Sequence, residues 1–217
     1  MKIEELQIIL KDAKAVIFDV DGTILDSMPI WQECDDIFLR SKGKDPDPNL
    51  HDILFPMTLE EGMTYLKTTY ELQESTDEIA RAIQEIVADA YRYEIPAKEG
   101  MVELIHFLHD QGTRLLIATS NERKPVQDAM RRLGLDACFA DMLFCTEVGA
   151  GKGTPLIFQR AAEVLKTDYP DIYLVEDGLY SMKTAKELGM KIIGIYDQAC
   201  IQDQPEIRQL ADYYVAG

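Results

Sequence analysis

Six short apolar runs recur along the chain: "AVIFDV", "RLLIATS", "MLFCTE", "IYLVEDG", "KIIGIYD" and "DYYV". They are rich in β-branched and aromatic residues and do not alternate strictly between apolar and polar. That pattern predicts buried parallel strands, covered on both faces. Between them lie helical patterns: "KEGMVELIHFLHDQG", "RKPVQDAMRRLGL", "PLIFQRAAEVLK" and "YSMKTAKELGM". Ile3, Leu6, Leu10 and Ala13 add a short amphipathic helix at the start. Strands alternating with helices predict right-handed crossovers and an α/β fold, a three-layer αβα sandwich on a parallel, Rossmann-like sheet.

One segment breaks the rhythm. Residues 28–96 contain no convincing buried strand, only amphipathic helical patterns such as "WQECDDIFLRSKG", "TLEEGMTYLKTTY" and "TDEIARAIQEIVADAYRYE", with "KDPDPN" as a loop. The expected organisation is a core domain of residues 1–27 and 97–217, interrupted by an all-helical cap domain at 28–96. Open α/β sheets bind ligands at the carboxyl ends of their strands, so an insert after the first strand is a candidate lid.

Composition narrows the function classes. At 217 residues, 47% hydrophobic and 28% charged, the chain reads as a globular protein with a substantial core. A formal net charge of −17 argues against nucleic acid and against an anionic membrane surface as partners. Cys34, Cys138, Cys145 and Cys200 form no C-x-x-C pair, so neither a zinc framework nor a disulfide scaffold is expected. "MKIEELQIIL" does not read as a signal peptide, and no run approaches a membrane span. The expectation is a cytoplasmic protein, a monomer or weak dimer, with reduced thiols.

The polar residues sit where the strands end. Asp19 and Asp21 close the first run, Thr119 and Ser120 the second, Glu176 and Asp177 the fourth. Parallel strands bring their carboxyl ends to one edge, so these groups should converge. If Val20 continues the strand, Asp19 and Asp21 point the same way. Such a concentration of carboxylates needs a hard cation, and Mg²⁺ suits an oxygen donor set that also meets phosphate. "ATSN" ends just before a helix, where hydroxyls and free amides make an anion site.

"GAGKGTP" looks like a phosphate loop but is not a nucleotide loop. In G-x-x-x-x-G-K-[ST], the first glycine falls on Thr146 and the last hydroxyl on Gly153. Lys152 remains a good partner for a phosphoryl oxygen beside a carboxylate–metal cluster. His106 and His109 lie one helical turn apart without a third ligand in view and read as helix-face residues.

"FDVDGTILDS" resembles the first motif of the haloacid dehalogenase superfamily, "IATS" its second, Lys152 its third-motif lysine, and "VEDGLYSMKTAKELGM" its fourth. The four occur in order across the chain outside the insert. The insert resembles the helical cap of the beta-phosphoglucomutase and phosphoglycolate phosphatase branch. Two departures stand out: Gly153-Thr154 separate Lys152 from Pro155, and Gly178 and Ser181 look exchanged within the fourth motif.

The resemblance implies a phosphoric monoester hydrolase acting on a small-molecule phosphate ester. Asp19 would be the nucleophile, and Asp21 the acid–base, its main-chain carbonyl also meeting Mg²⁺. Glu176 and Asp177 would complete the metal site, and Thr119, Ser120 and Lys152 would hold phosphate. Dehalogenases need no acid at the Asp21 position, because halide leaves without a proton. A sugar phosphomutase is the alternative; against it, Trp31 stands where its cap histidine is expected and Leu59 where an arginine is. Trp31, Thr58 and Asn121 are candidate substrate contacts, weighed against packing, a helix cap and a strand-end cap. A receiver-like signalling module would need neither a lid nor Asp21.

Overall fold

The structure is a computed structural model that describes residues 1–216. The chain divides into two compact units, one of Met1–Asp26 with the chain from Ile95 onward, the other of Ser27–Glu94.

The first unit is built on six strands: β1 (Ala15–Phe18), β2 (Arg114–Thr119), β3 (Asp141–Phe144), β4 (Ile172–Glu176), β5 (Lys191–Ile195) and β6 (Tyr213–Val215). All neighbours pair in parallel, in the order β3-β2-β1-β4-β5-β6. The chain winds outward from β1 through β2 and β3, then returns to start again at β4. The carboxyl ends of β1, β2 and β4 therefore meet where the winding reverses, the position at which such sheets take ligands. Register fixes the alignment: Phe18 lies beside Ile117 on one side and Val175 on the other.

Both faces of the sheet are covered, which is why the runs show no alternation. On one face Ala15, Ile17, Leu116, Ala118 and Leu174 form a core with Ile157, Phe158 and Ala161 of α9 (Leu156–Leu165) and Met182 and Ala185 of α10 (Leu179–Glu187). Val16, Phe18, Leu115 and Ile117, at the alternate positions, are equally buried. Each such side chain contributes about 1.5–3 kcal/mol of transfer free energy, so the sheet centre is the most expensive place to disturb.

The second unit holds α2 (Met28–Ser41), α3 (Leu50–Leu54), α4 (Leu59–Thr69) and α5 (Thr76–Tyr93). Both α4 and α5 open on reciprocal caps, Thr58 with Glu61 and Ser75 with Glu78. Ile79, Ile83, Val87, Ala90 and Tyr91 form the buried stripe of α5, which packs on α2 and α4.

Several elements depart from the sequence pattern. The opening helix splits into a 3₁₀ turn and a five-residue helix, α1 (Leu6–Leu10). The "CTE" of the third apolar run begins a helical turn, α8 (Cys145–Val148), closed by Gly149 at φ +78°. Most consequentially, β1 stops at Phe18: Gly22 at φ +79° and the bonds Gly22 N to Leu25 O and Leu25 N to Val20 O bend the chain into a tight loop. Strand alternation therefore does not govern Asp19 and Asp21. Among the described residues no helix is long and apolar enough to cross a membrane.

Candidate active site

Asp19 is the first residue after β1, and its amide donates to the Val175 carbonyl of β4 at 3.0 Å. This bond carries the strand alignment one residue past the ladder and sets the Asp19 carboxylate beside Glu176 and Asp177. Lys152, in the loop before α9, reaches in and bridges two acids: its Nζ donates to Asp19 Oδ1 at 2.5 Å and to Glu176 Oε2 at 2.8 Å. The lysine is only 3% exposed, and Asp19, Glu176 and Asp177 are buried with it.

Neighbouring groups hold these acids from behind. Ser181 Oγ donates to Glu176 Oε2 at 2.6 Å, and the Gly178 amide donates to Glu176 Oε1 at 3.1 Å. Thr23 Oγ1 donates to Asp177 Oδ1 at 3.3 Å, and Cys200 Sγ to Asp177 Oδ2 at 3.6 Å. Gly22 leaves the space this requires: a Cβ there would lie 2.9 Å from the Asp177 carboxylate carbon. The glycine is thus needed twice, for its left-handed backbone and for the close approach.

The electrostatics are those of an overcrowded anionic site. Burial, then Glu176, pushes the Asp19 carboxyl up to about 7, against the pull of Lys152. Asp177 is driven well above the ordinary carboxylate range by burial and by Asp19 and Glu176. Burial opposes the charge on Lys152, but Asp19 and Glu176 outweigh it and hold the lysine well above its usual value. One ammonium faces three carboxylates, with one oxygen of each lying within 4.8 Å of the others. A divalent cation would relieve this imbalance, and an all-oxygen donor set fits a hard ion such as Mg²⁺. Among the described residues this is the group with metal-holding geometry, and neither His106 nor His109 belongs to it.

Other expected residues fall around the cluster. Thr119 is buried at the end of β2, and its Oγ1 accepts from the Asn121 amide at 3.1 Å. Ser120 is exposed, with Oγ 3.6 Å from Cys145 Sγ. Asp21 is half-buried, and its carboxylate is outside the cluster of Asp19, Glu176 and Asp177. Its Oδ2 accepts from Asn121 Nδ2 at 2.8 Å. In the helical unit, Thr58 caps α4, accepting from the Glu61 amide. Trp31 is 41% exposed, donates from Nε1 to the Tyr91 hydroxyl at 3.1 Å and meets that ring edge-on.

Sequence reasoning passed over Ser181 and Cys200 as members of the site. Ser181 sits in the first turn of α10, five residues after Glu176, and its signal was the apparent exchange with Gly178. Cys200 lies in a 3₁₀ turn after β5, more than twenty positions from its partner, and nothing local marks it.

The model of the haloacid dehalogenase-like hydrolases fits residues 16–195. The chain belongs to that family and is an enzyme of the hydrolase class it defines. It is 27% identical over 180 residues to the phosphorylated carbohydrates phosphatase of Thermotoga maritima, covering 83% of each chain. It is 26% identical over 213 residues to the beta-phosphoglucomutase of Bacillus subtilis, covering 92% of this chain and 91% of that one. A structure of the Bacillus subtilis protein YfnB bound to magnesium shares the fold, with a TM-score of 0.75, 16% identity and 94% coverage of both chains.

Proposed function

We propose that the protein is a Mg²⁺-dependent phosphatase that hydrolyses a small phosphorylated metabolite through an aspartyl-phosphate. The observation that carries this reading is the Asp19–Lys152–Glu176 bridge, buried at the reversal point of the sheet with Asp177 beside it. An aspartate held against a lysine in that setting is an oriented nucleophile with a cation ready for the group it attacks.

In the first transfer an Asp19 oxygen forms a bond to phosphorus while the ester P–O bond breaks, its electron pair leaving with the alcohol oxygen. Asp21 supplies the proton that this oxygen needs. In the second, Asp21 takes a proton from water as the water oxygen bonds to phosphorus and the Asp19–phosphorus bond breaks. Lys152, the Thr119 hydroxyl and Ser120 hold the peripheral phosphoryl oxygens throughout. Glu176 and Asp177, with Asp19 and the Asp21 main-chain carbonyl, would hold Mg²⁺, whose charge offsets the phosphoryl oxygens and the crowded carboxylates. The helical unit is assigned the selection of the leaving group, with Trp31 and Thr58 as its candidate contacts.

Hydrolysis is preferred to mutase chemistry because a mutase must grip a second phosphate. The helical unit is short of cations for that. Of its six lysines and arginines, Arg40 and Arg92 pair with Asp36 and Asp89, Lys42 with Glu74, and Lys67 and Arg81 with the carbonyls of Glu74 and Asp77, which leaves Lys44 as the one without such a partner among the described residues.

The test is phosphate release from a panel of phosphorylated metabolites, with Mg²⁺, with EDTA, and with Asp19→Asn. Release that needs both Mg²⁺ and Asp19 supports the reading. No release from any ester, alongside interconversion of hexose phosphates, would replace it with a phosphomutase.

A further inference from the structure

Asp21 has a fixed neighbour whose orientation the surrounding backbone decides. Asn121 follows β2, in the turn beside the loop that carries Asp21 after the paired strand β1. Its side-chain oxygen accepts from the Glu122 main-chain amide at 2.6 Å, and its main-chain N–H donates to Thr119 Oγ1 at 3.1 Å. An N–H can be met only by an acceptor, so the Glu122 contact identifies Oδ1 and turns the Nδ2 donor outward. That donor lies 2.8 Å from Asp21 Oδ2.

We propose that Asn121 is a positioning residue for Asp21: its Nδ2 donor holds Oδ2 and so fixes the orientation of the carboxyl group. This rests on the phosphatase reading and deepens it. An acid that must meet first the ester oxygen and then water works best when its rotamer is held in advance. The Asp21 O–H bond breaks as the ester P–O bond breaks, and its proton goes to the departing alcohol oxygen. Asp21 then recovers a proton from the attacking water. The arrangement joins the turns after β1 and β2, so the acid is registered against the Thr119 strand that holds the phosphate. Asn121 is thereby moved from a candidate substrate contact to a group acting through Asp21.

The experiment is a leaving-group series of phosphate monoesters, dinitrophenyl, nitrophenyl, phenyl and alkyl, measured as kcat/KM with Mg²⁺. It is run on the wild type, Asn121→Ala, Asp21→Asn and the double variant. Dinitrophenolate leaves without a proton and an alkoxide does not, so general-acid help grows along the series. Asn121→Ala should steepen the dependence, with a loss of about tenfold or more on the alkyl ester shrinking toward the dinitrophenyl ester. It should add little to Asp21→Asn, because one unit has already been removed. Asn121→Leu, close in volume but unable to donate, should behave like Asn121→Ala and guards against a packing effect. An equal loss on every ester, or a rise in KM alone, would overturn the proposal in favour of a structural or substrate-binding role. If Asp21→Asn itself leaves the series parallel to wild type, the acid–base reading of Asp21 is what has failed.

Discussion

Lys152 is the cation that balances the buried acids of the site. Buried between Asp19 and Glu176, it neutralises carboxylates that cannot reach water. Removing one member of a buried pair costs about 3–5 kcal/mol, because the partner charge stays behind. Lys152→Met should lower the stability of the metal-free protein by that order, read by urea denaturation in EDTA, with part of the loss recovered in Mg²⁺. Lys152→Met as stable as wild type would show that the three acids are protonated together rather than paired. Asp19 gives the sign of the pH dependence. Its carboxyl titrates at about 7 in the folded state and about 4 when unfolded. Between these values the folded chain holds a proton that the unfolded chain has lost. The contribution is fully present below about 4 and is lost as pH rises to about 7. Denaturation in EDTA and in Mg²⁺ should therefore diverge over that window, with the Mg²⁺ advantage growing with pH; a constant gap would show that the cation does not bind at these acids.

Helix caps and turns decide the elements. Thr58 and Ser75 each close a reciprocal cap with a glutamate three residues on, as the S/T-x-x-E pattern in the sequence allows. Thr58→Ala should cost the helical unit about 1 kcal/mol, measured by thermal unfolding, a loss expected of a cap whatever the substrate. Ser75→Ala provides the matched control. At Gly22 the element is the loop after β1: Gly22→Ala forces a side chain into a left-handed backbone at about 1–2 kcal/mol and pushes on Asp177. Titration calorimetry should find Mg²⁺ binding weakened beyond what the stability change explains, whereas unchanged binding would release Asp177 from the metal site. Strand identity was legible because β1, β2, β4 and β5 are buried on both faces. Helix α3 was not, since five residues span little more than one turn and cannot show a period.

For the whole molecule, the two crossings between units return the chain to nearly the same place. Asp26 N donates to Pro96 O, Lys98 N donates to Ile24 O, and Leu25 bridges Ala97. A short glycine linker in place of residues 27–94 should therefore leave a cooperatively folded α/β unit that still gains stability from Mg²⁺, since every cluster acid lies within it; circular dichroism and a Mg²⁺-dependent melting shift would check this, and a molten product would show that the sheet depends on the insert. The residues by themselves determined the layered α/β architecture, the helical interruption and the strand-end acids, because hydrophobic periodicity and strand termini are local properties of a chain. Only the tertiary structure decided how those acids divide. It bent the chain at Gly22, so that Asp19 joined Glu176 and Asp177 around Lys152 while Asp21 turned to Asn121, one hundred positions away. The same is true of Ser181 behind Glu176 and Cys200 behind Asp177. Which of two nearby carboxylates joins the buried cluster depends on backbone turns and long-range donors, and no local period encodes those.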